Sequence, residues 1–282
     1  MTGHSFGDLK GKVCVLTGGG GVIGTTLALG LAQAGIKVAV LDNNMEAADQ
    51  AAQIVRTRTE GTAIGVLGDV LNRDALIEAK KQVNALLGTI DILINGAGGN
   101  HPAAVTKLEF LDRESAGDLS KGFFGLSLEG FKKVFDLNFL GTVLPTMVFA
   151  EDMAAGGGNI LNISSMNSYR PLTKVPAYSA AKAGINNLTQ WLAVHFAKLG
   201  IRVNAIAPGF FLTHQNTDML IDKTSGSLTD RGEKIISHTP MGRFGETEEL
   251  VGTALYLLSD LSRFVTGVVI PVDGGFSAYS GV

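Results

Sequence analysis

The chain has 282 residues, 45% hydrophobic and 17% charged, with a formal net charge of -3, which is enough to bury a sizeable core and gives no electrostatic footprint for nucleic acid. The first dozen residues lack the apolar centre of a signal peptide, and no apolar run reaches the length of a membrane span. Cys14 is the single cysteine, so the composition predicts a cytoplasmic protein without disulfide, nucleic-acid or membrane partners.

Residues 12–16 read as a buried strand ending in Thr17-Gly18-Gly19-Gly20-Gly21-Val22-Ile23-Gly24. Ile23, Leu27, Leu31 and Ala34 then recur at helical spacing until Gly35. Between a strand and a helix, a glycine turn lets the backbone approach a pyrophosphate, and the helix N-terminus offers it unpaired N–H groups. Gly18, Gly21, Val22, Ile23 and Gly24 are therefore candidate cofactor contacts. A second strand, 37–41, delivers Asp42, 18 residues after Gly24. A carboxylate there accepts hydrogen bonds from both hydroxyls of an adenosine ribose and repels a 2′-phosphate. Asn43 and Asn44 bring no cation, so the pattern favours NAD over NADP. The alternative for Asp42 is a cap on the helix that begins near Met45.

A helix over 45–58, a strand over 62–67 leading to Asp69-Val70, a helix over 73–87 and a strand over 90–94 continue the alternation. That last strand runs into Asn95-Gly96-Ala97-Gly98-Gly99. The fold expected is α/β, a Rossmann-type doubly wound parallel sheet of about seven strands with helices on both faces. No linker interrupts it, so residues 1–282 are expected to form one dinucleotide-binding and catalytic domain. Over 100–128 the periodicity fails, which predicts a functional loop. A helix over 128–155 carries Asn138 among apolar neighbours, and Pro145 within it should bend the axis or mark a fray.

Ile160-Leu161-Asn162-Ile163 reads as another buried strand, with Ser164-Ser165 after it. Residues 176–199 read as a helix on which Tyr178 and Lys182, four apart, share a face. A free phenol titrates near about 10, and a cation held close favours the phenolate. Ser165, at the strand end, can hydrogen-bond the oxygen that gains or loses the proton. A strand over 201–207 ends in Pro208-Gly209, and 210–239 is a second irregular substrate loop with a short helix over 230–237. A helix over 247–258 and a strand over 267–272 complete the chain. No cluster has metal-ligand spacing, so no catalytic metal is expected.

With these motifs in order, residues 10–276 resemble the short-chain dehydrogenases/reductases. The glycine turn departs from that family's Thr-Gly-x-x-x-Gly-x-Gly at its middle glycine, which is Val22 here. The resemblance implies that Tyr178 is the general acid/base and that Lys182 holds the nicotinamide ribose and lowers the tyrosine pKa. Ser165, thirteen residues before Tyr178, would orient the reacting oxygen, and Asn138 would hold a proton-relaying water. Asp69 and Val70 would lie along the adenine of NAD, Asn95 and Ala97 on its adenosine side, and Pro208, Gly209 and Thr213 at the nicotinamide amide. Gly98 and Phe211 join the implied cofactor contacts, and a homotetramer is the common assembly.

Within the family, the valine-bearing turn, Gly99-Asn100-His101-Pro102, Ile163-Ser164-Ser165-Met166-Asn167, Pro208-Gly209-Phe210-Phe211-Leu212-Thr213 and the tail from Val272 to Ser280 are similar to the D-mannonate oxidoreductase (fructuronate reductase) group. The implied reaction is D-mannonate + NAD⁺ ⇌ D-fructuronate + NADH. The alternatives are another polyol, sugar or hydroxy-acid dehydrogenase, or an NAD(H) sensor without turnover. A polyhydroxy carboxylate needs several hydrogen-bond partners and a cationic site. Asn100, His101, Asn167, Arg170, His214 and Gln215 are the candidates, and Arg170, five residues after Ser165, is the first choice for the carboxylate.

Overall fold

The computed structural model describes residues 6–213 and 217–281. Its strands are β1 (Val13–Thr17), β2 (Lys37–Asp42), β3 (Ala63–Leu67), β4 (Ile92–Asn95), β5 (Gly158–Ile163), β6 (Ile201–Pro208) and β7 (Val269–Val272). They form one parallel sheet in the order β3-β2-β1-β4-β5-β6-β7. Between them run α1 (Val22–Gln33), α2 (Met45–Arg58), α3 (Arg73–Leu86), α4 (Leu128–Phe135), α5 (Gly141–Phe149), α6 (Pro176–Phe196), α7 (Thr217–Leu220), α8 (Asp230–Ser237) and α9 (Glu249–Leu258). This is the doubly wound sheet that the sequence predicts, with strand ends within two residues of those expected.

The strands read as unbroken apolar runs because both of their faces are covered. Cys14, Leu16, Val38, Val40, Ile92 and Ile94 pack with Leu27 and Leu31 of α1, Val55 of α2 and Leu250 of α9. The alternate positions, Val13, Val15, Ala39, Leu41 and Leu93, pack with Leu76 and Val83 of α3, Phe149 of α5 and Leu192 of α6. Strand order reverses between β1 and β4, which opens a crevice beyond their carboxyl ends.

The helix expected over 128–155 is divided. α4 gives way to a π turn at Asp136–Leu140, α5 follows, and a 3₁₀ turn at Ala150–Met153 ends the segment. Pro145 lies buried inside α5, and the irregularity sits instead at Asn138, whose Nδ2 donates to the Val134 carbonyl at 2.8 Å. The segment also corrects the expectation about membrane-length runs. By length and composition Leu128–Met153 could cross a bilayer, with mean hydropathy 1.2 over 18 residues. Half of that window is buried within the fold, where α4 packs on α6 and α5 on α3. The 100–128 region contains short 3₁₀ turns, and α6 ends in a 3₁₀ turn before Gly200, at φ 72°.

Candidate active site

The N-terminus of α1 is built to be left open. Gly21 occupies the N-cap, no side chain caps the helix, and its first turn carries no acidic residue. Its unpaired N–H groups and positive dipole end are thus available to an anion. Two glycines of the turn are held most closely by neighbouring backbone. Gly18 has φ 65° and a Cβ there would stand 2.7 Å from Ala97 Cα, while a Cβ on Gly24 would stand 2.5 Å from the Gly18 carbonyl oxygen. Val22, in the middle-glycine position, is the first helical residue and lines the cleft.

That cleft, about 370 Å³, runs from Gly18, Gly21, Val22, Ile23 and Gly24 past Asp42, Asp69 and Val70 to Ala97, Gly98 and Thr213. The Asp42 carboxylate accepts the Gly20 N–H at Oδ2 and the Asn44 N–H at Oδ1, both at 3.1 Å. It does not cap α2. Asn44 does, accepting the Ala47 N–H at 3.2 Å, which leaves Asp42 with unused lone pairs beside the cleft. Asp69 Oδ1 accepts the Leu71 N–H at 2.9 Å, fixing the turn that carries Val70. Thr17, at the carboxyl end of β1, accepts the Gly96 and Ala97 N–H groups at 3.1 and 3.2 Å and so sets the far wall.

Six residues expected at the cofactor do not line this cleft: Tyr178 and Lys182, described below, and Asn95, Pro208, Gly209 and Phe211. Asn95 is buried in the sheet, its Nδ2 donating to Asn162 Oδ1 at 2.9 Å and Thr146 Oγ1 at 3.0 Å. Pro208 closes β6, and the Gly209 N–H donates to Val272 at 2.9 Å. Phe211 is buried, with its ring against Gly245 and a separate recess.

Tyr178 and Lys182 lie one turn apart near the start of α6, which Pro176 opens. Lys182 is 4% exposed, its Nζ donates to the Ile163 carbonyl at 2.7 Å, and it stands 5.6 Å from the centre of the Tyr178 ring. A Cβ on Gly98, which lines the cleft, would stand 2.7 Å from Asn138 Oδ1 and 3.3 Å from that Nζ, so glycine lets the cleft wall pack close to the ammonium. Burial pulls Lys182 down to about 8. Burial also raises the half-buried Tyr178 phenol, and a hydrogen bond with Ser165 offsets part of that rise. The lowered tyrosine implied by the family resemblance is therefore not what the protein groups produce here, because desolvation exceeds the help from Ser165. Ser165 Oγ also accepts the Asn167 N–H at 3.2 Å, opening the 3₁₀ turn Met166–Ser168.

Asn138 acts as a clamp. Nδ2 donates to the Gly99 carbonyl at 2.7 Å as well as to Val134, and Oδ1 accepts the Gly99 N–H at 3.2 Å. Both amide hydrogens are used within the protein, so only Oδ1 could hold a water.

Of the substrate candidates, His101 Nδ1 accepts the Ala103 N–H at 3.2 Å and caps the turn Pro102–Ala104, leaving Nε2 as its outward nitrogen. Asn100 Oδ1 accepts the His101 N–H at 2.9 Å. Asn167 is 6% exposed with its Oδ1 unpartnered. Arg170 is exposed, with Nε donating to the Ser277 carbonyl at 3.3 Å. His214 and Gln215 lie outside the described residues. Sequence reasoning missed Arg231, Lys234 and His238, although their spacing of three and four on one helical face was readable. Among the described residues no group of three or more His, Cys, Asp or Glu could hold a metal ion.

The arrangement pairs an anion cradle with a buried Ser-Tyr-Lys set behind the part of the cleft wall that Gly98 and Ile163 form. A family profile described as enoyl-(acyl carrier protein) reductase matches residues 20–277. The chain belongs to the short-chain dehydrogenase/reductase family. As a member of this family it is an oxidoreductase. It is 52% identical, over 98% of its length and 96% of the relative's, to an uncharacterized oxidoreductase of Haemophilus influenzae. A crystal structure from the same genus, of a candidate D-mannonate oxidoreductase with bound NAD, has 52% identity and a TM-score of 0.92, covering 97% of this chain and 98% of that one. The 2-dehydro-3-deoxy-D-gluconate 5-dehydrogenase of Formosa agariphila is 33% identical, over 97% of this chain and 96% of its own length.

Proposed function

We propose that this short-chain dehydrogenase/reductase interconverts D-mannonate and D-fructuronate with NAD. The observation that carries the reading is the Lys182 ammonium, buried beside Tyr178 and close to Gly98 of the cleft wall. The similarity to the NAD-bound candidate D-mannonate oxidoreductase supports the substrate.

The N–H groups at the start of α1 would hold the pyrophosphate, Asp42 the adenosine ribose hydroxyls, Asp69 and Val70 the adenine, and Lys182 the nicotinamide ribose. The fit is good, since a Cβ at Gly18 or Gly24 would close the turn and no side chain occupies the helix end. Bound NAD supplies the hydride acceptor. Tyr178 then takes the carbinol proton as the alcohol is oxidised and returns it in reduction. Ser165 Oγ orients that oxygen and offsets part of the rise that burial imposes on the phenol. Asn138 holds Gly98-Gly99 against Lys182. We read 1–282 as one cytoplasmic catalytic domain, assembled as a homotetramer through apolar surface such as Val194 and Trp191 of α6, which are 81% and 57% exposed.

Purified protein given D-fructuronate and NADH should consume the absorbance band of the reduced cofactor and yield D-mannonate. Absence of turnover with this pair, alongside turnover of another sugar acid such as 2-dehydro-3-deoxy-D-gluconate, would replace the substrate and keep the chemistry.

A further inference from the structure

α8 and its C-cap put Arg231, Lys234 and His238 on one face, and that face walls a recess of about 280 Å³. Arg170 stands on another wall, and Phe110, Phe210 and Phe276 supply apolar lining. Arg170 belongs to the turn that Ser165 opens, its N–H donating to the Met166 carbonyl at 3.1 Å. Phe210 follows the end of β6, which pairs with β5 as far as Ile163↔Ile206. The recess therefore lies beyond the carboxyl edge of the strand that delivers Ser165.

Its charge is one-sided. Glu109 is the acid of the recess; it pairs with Lys234 at 2.5 Å, and Lys174 and Arg231 also act on it, holding its carboxyl below the ordinary range. Lys174 adopts φ 73°, a left-handed backbone that a non-glycine residue keeps only when its surroundings enforce it. The Thr106 N–H donates to the Lys174 carbonyl at 2.9 Å, which ties the two loops together. With Lys234 spent on Glu109, the Arg231 guanidinium has no hydrogen-bond partner among the described residues. Arg170 spends only Nε, on Ser277. Two guanidinium forks are left for a planar anion, the geometry that suits a carboxylate.

We propose that this recess binds the carboxylate end of a sugar-acid substrate, with Arg231 as its bidentate partner, Arg170 beside it, and the phenyl rings covering the C–H face of the sugar. The inference rests on the sugar-acid reading above and adds the residue that selects acids over neutral polyols. The volume sits at the lower limit of small-molecule sites, which suits a six-carbon acid and not a long acyl chain.

Steady-state kinetics of Arg231→Gln, with Arg231→Lys as the conservative variant, test it. Arg231→Gln should raise the KM for D-mannonate on the order of 100-fold while kcat and the KM for NAD stay within about threefold, and Arg231→Lys should recover part of the loss. Added salt should raise the wild-type KM more than that of Arg231→Gln. An unchanged KM for the acid, or an equal loss toward NAD, overturns the inference. If the wild type turns over no sugar acid, the functional reading fails by itself, and calorimetric titration of D-mannonate, D-gluconate and tartrate into the NADH complex decides the recess. Binding that disappears in Arg231→Gln supports it, and no binding of any of the three overturns it.

Discussion

Lys182 donates a 2.7 Å hydrogen bond to the carbonyl oxygen of Ile163, the last residue of the strand that leads to Ser165. One bond thus fixes the helix carrying Tyr178 to the strand end carrying its partner serine. The same burial that fixes the lysine opposes its charge.

That opposition can be measured. Lys182 is lowered from 10.5 to about 8 in the fold, so below pH 8 both folded and unfolded chains carry its proton and the desolvation cost is fully present. Between pH 8 and 10.5 the folded chain has lost the proton and the unfolded chain still binds it, so this residue's contribution becomes less unfavourable as pH rises. Lys182→Met should therefore stabilise the protein more at pH 7 than at pH 10, with a difference of about 1–3 kcal/mol in urea unfolding. A difference of zero, or of opposite sign, would mean that the ammonium is well solvated.

Asp42 is held by the Gly20 and Asn44 N–H groups, so its carboxylate is aimed before any ligand arrives. Asp42→Ala should weaken NAD by about 10- to 100-fold, the worth of hydrogen bonds to a charged acceptor. Adding Asn43→Arg should invert the preference toward NADP, read as the ratio of kcat/KM values for the two dinucleotides. An unchanged ratio would contradict the assignment.

Asn138→Ala removes the clamp and strands the Gly99 N–H and the Gly99 and Val134 carbonyls. We expect a loss of about 2–3 kcal/mol in stability together with a fall in kcat, because the Gly98-Gly99 backbone is then free to drift from Lys182. Unchanged stability with kcat abolished would instead assign Asn138 to proton relay.

Much of this was legible from the chain alone. Runs such as Val13-Cys14-Val15-Leu16 are apolar at every position because helices cover both faces, and the glycine turn announces its function through the strand before it and the helix after it. The interval between Tyr178 and Lys182 follows from helical geometry. What stayed hidden depends on partners distant in sequence. Asn95 looks like a cleft residue by position, yet Asn162 and Thr146 draw its side chain inward. Pro145 suggested a break that occurs instead at Asn138, because a bond to Gly99, 39 residues away, decides where the helix deforms. Arg231 lines one recess with Arg170 only because the 60 intervening residues return α8 to that side of the fold.

The most direct measurement is single-turnover kinetics of Tyr178→Phe beside the wild type, with NADH affinity determined on the same samples. The phenyl ring keeps the packing on α6 and removes only the hydroxyl. The account predicts unchanged NADH affinity and a fall in the rate of D-fructuronate reduction of about 10²- to 10⁴-fold. A variant that binds NADH and reduces the substrate within a few-fold of the wild-type rate would contradict it.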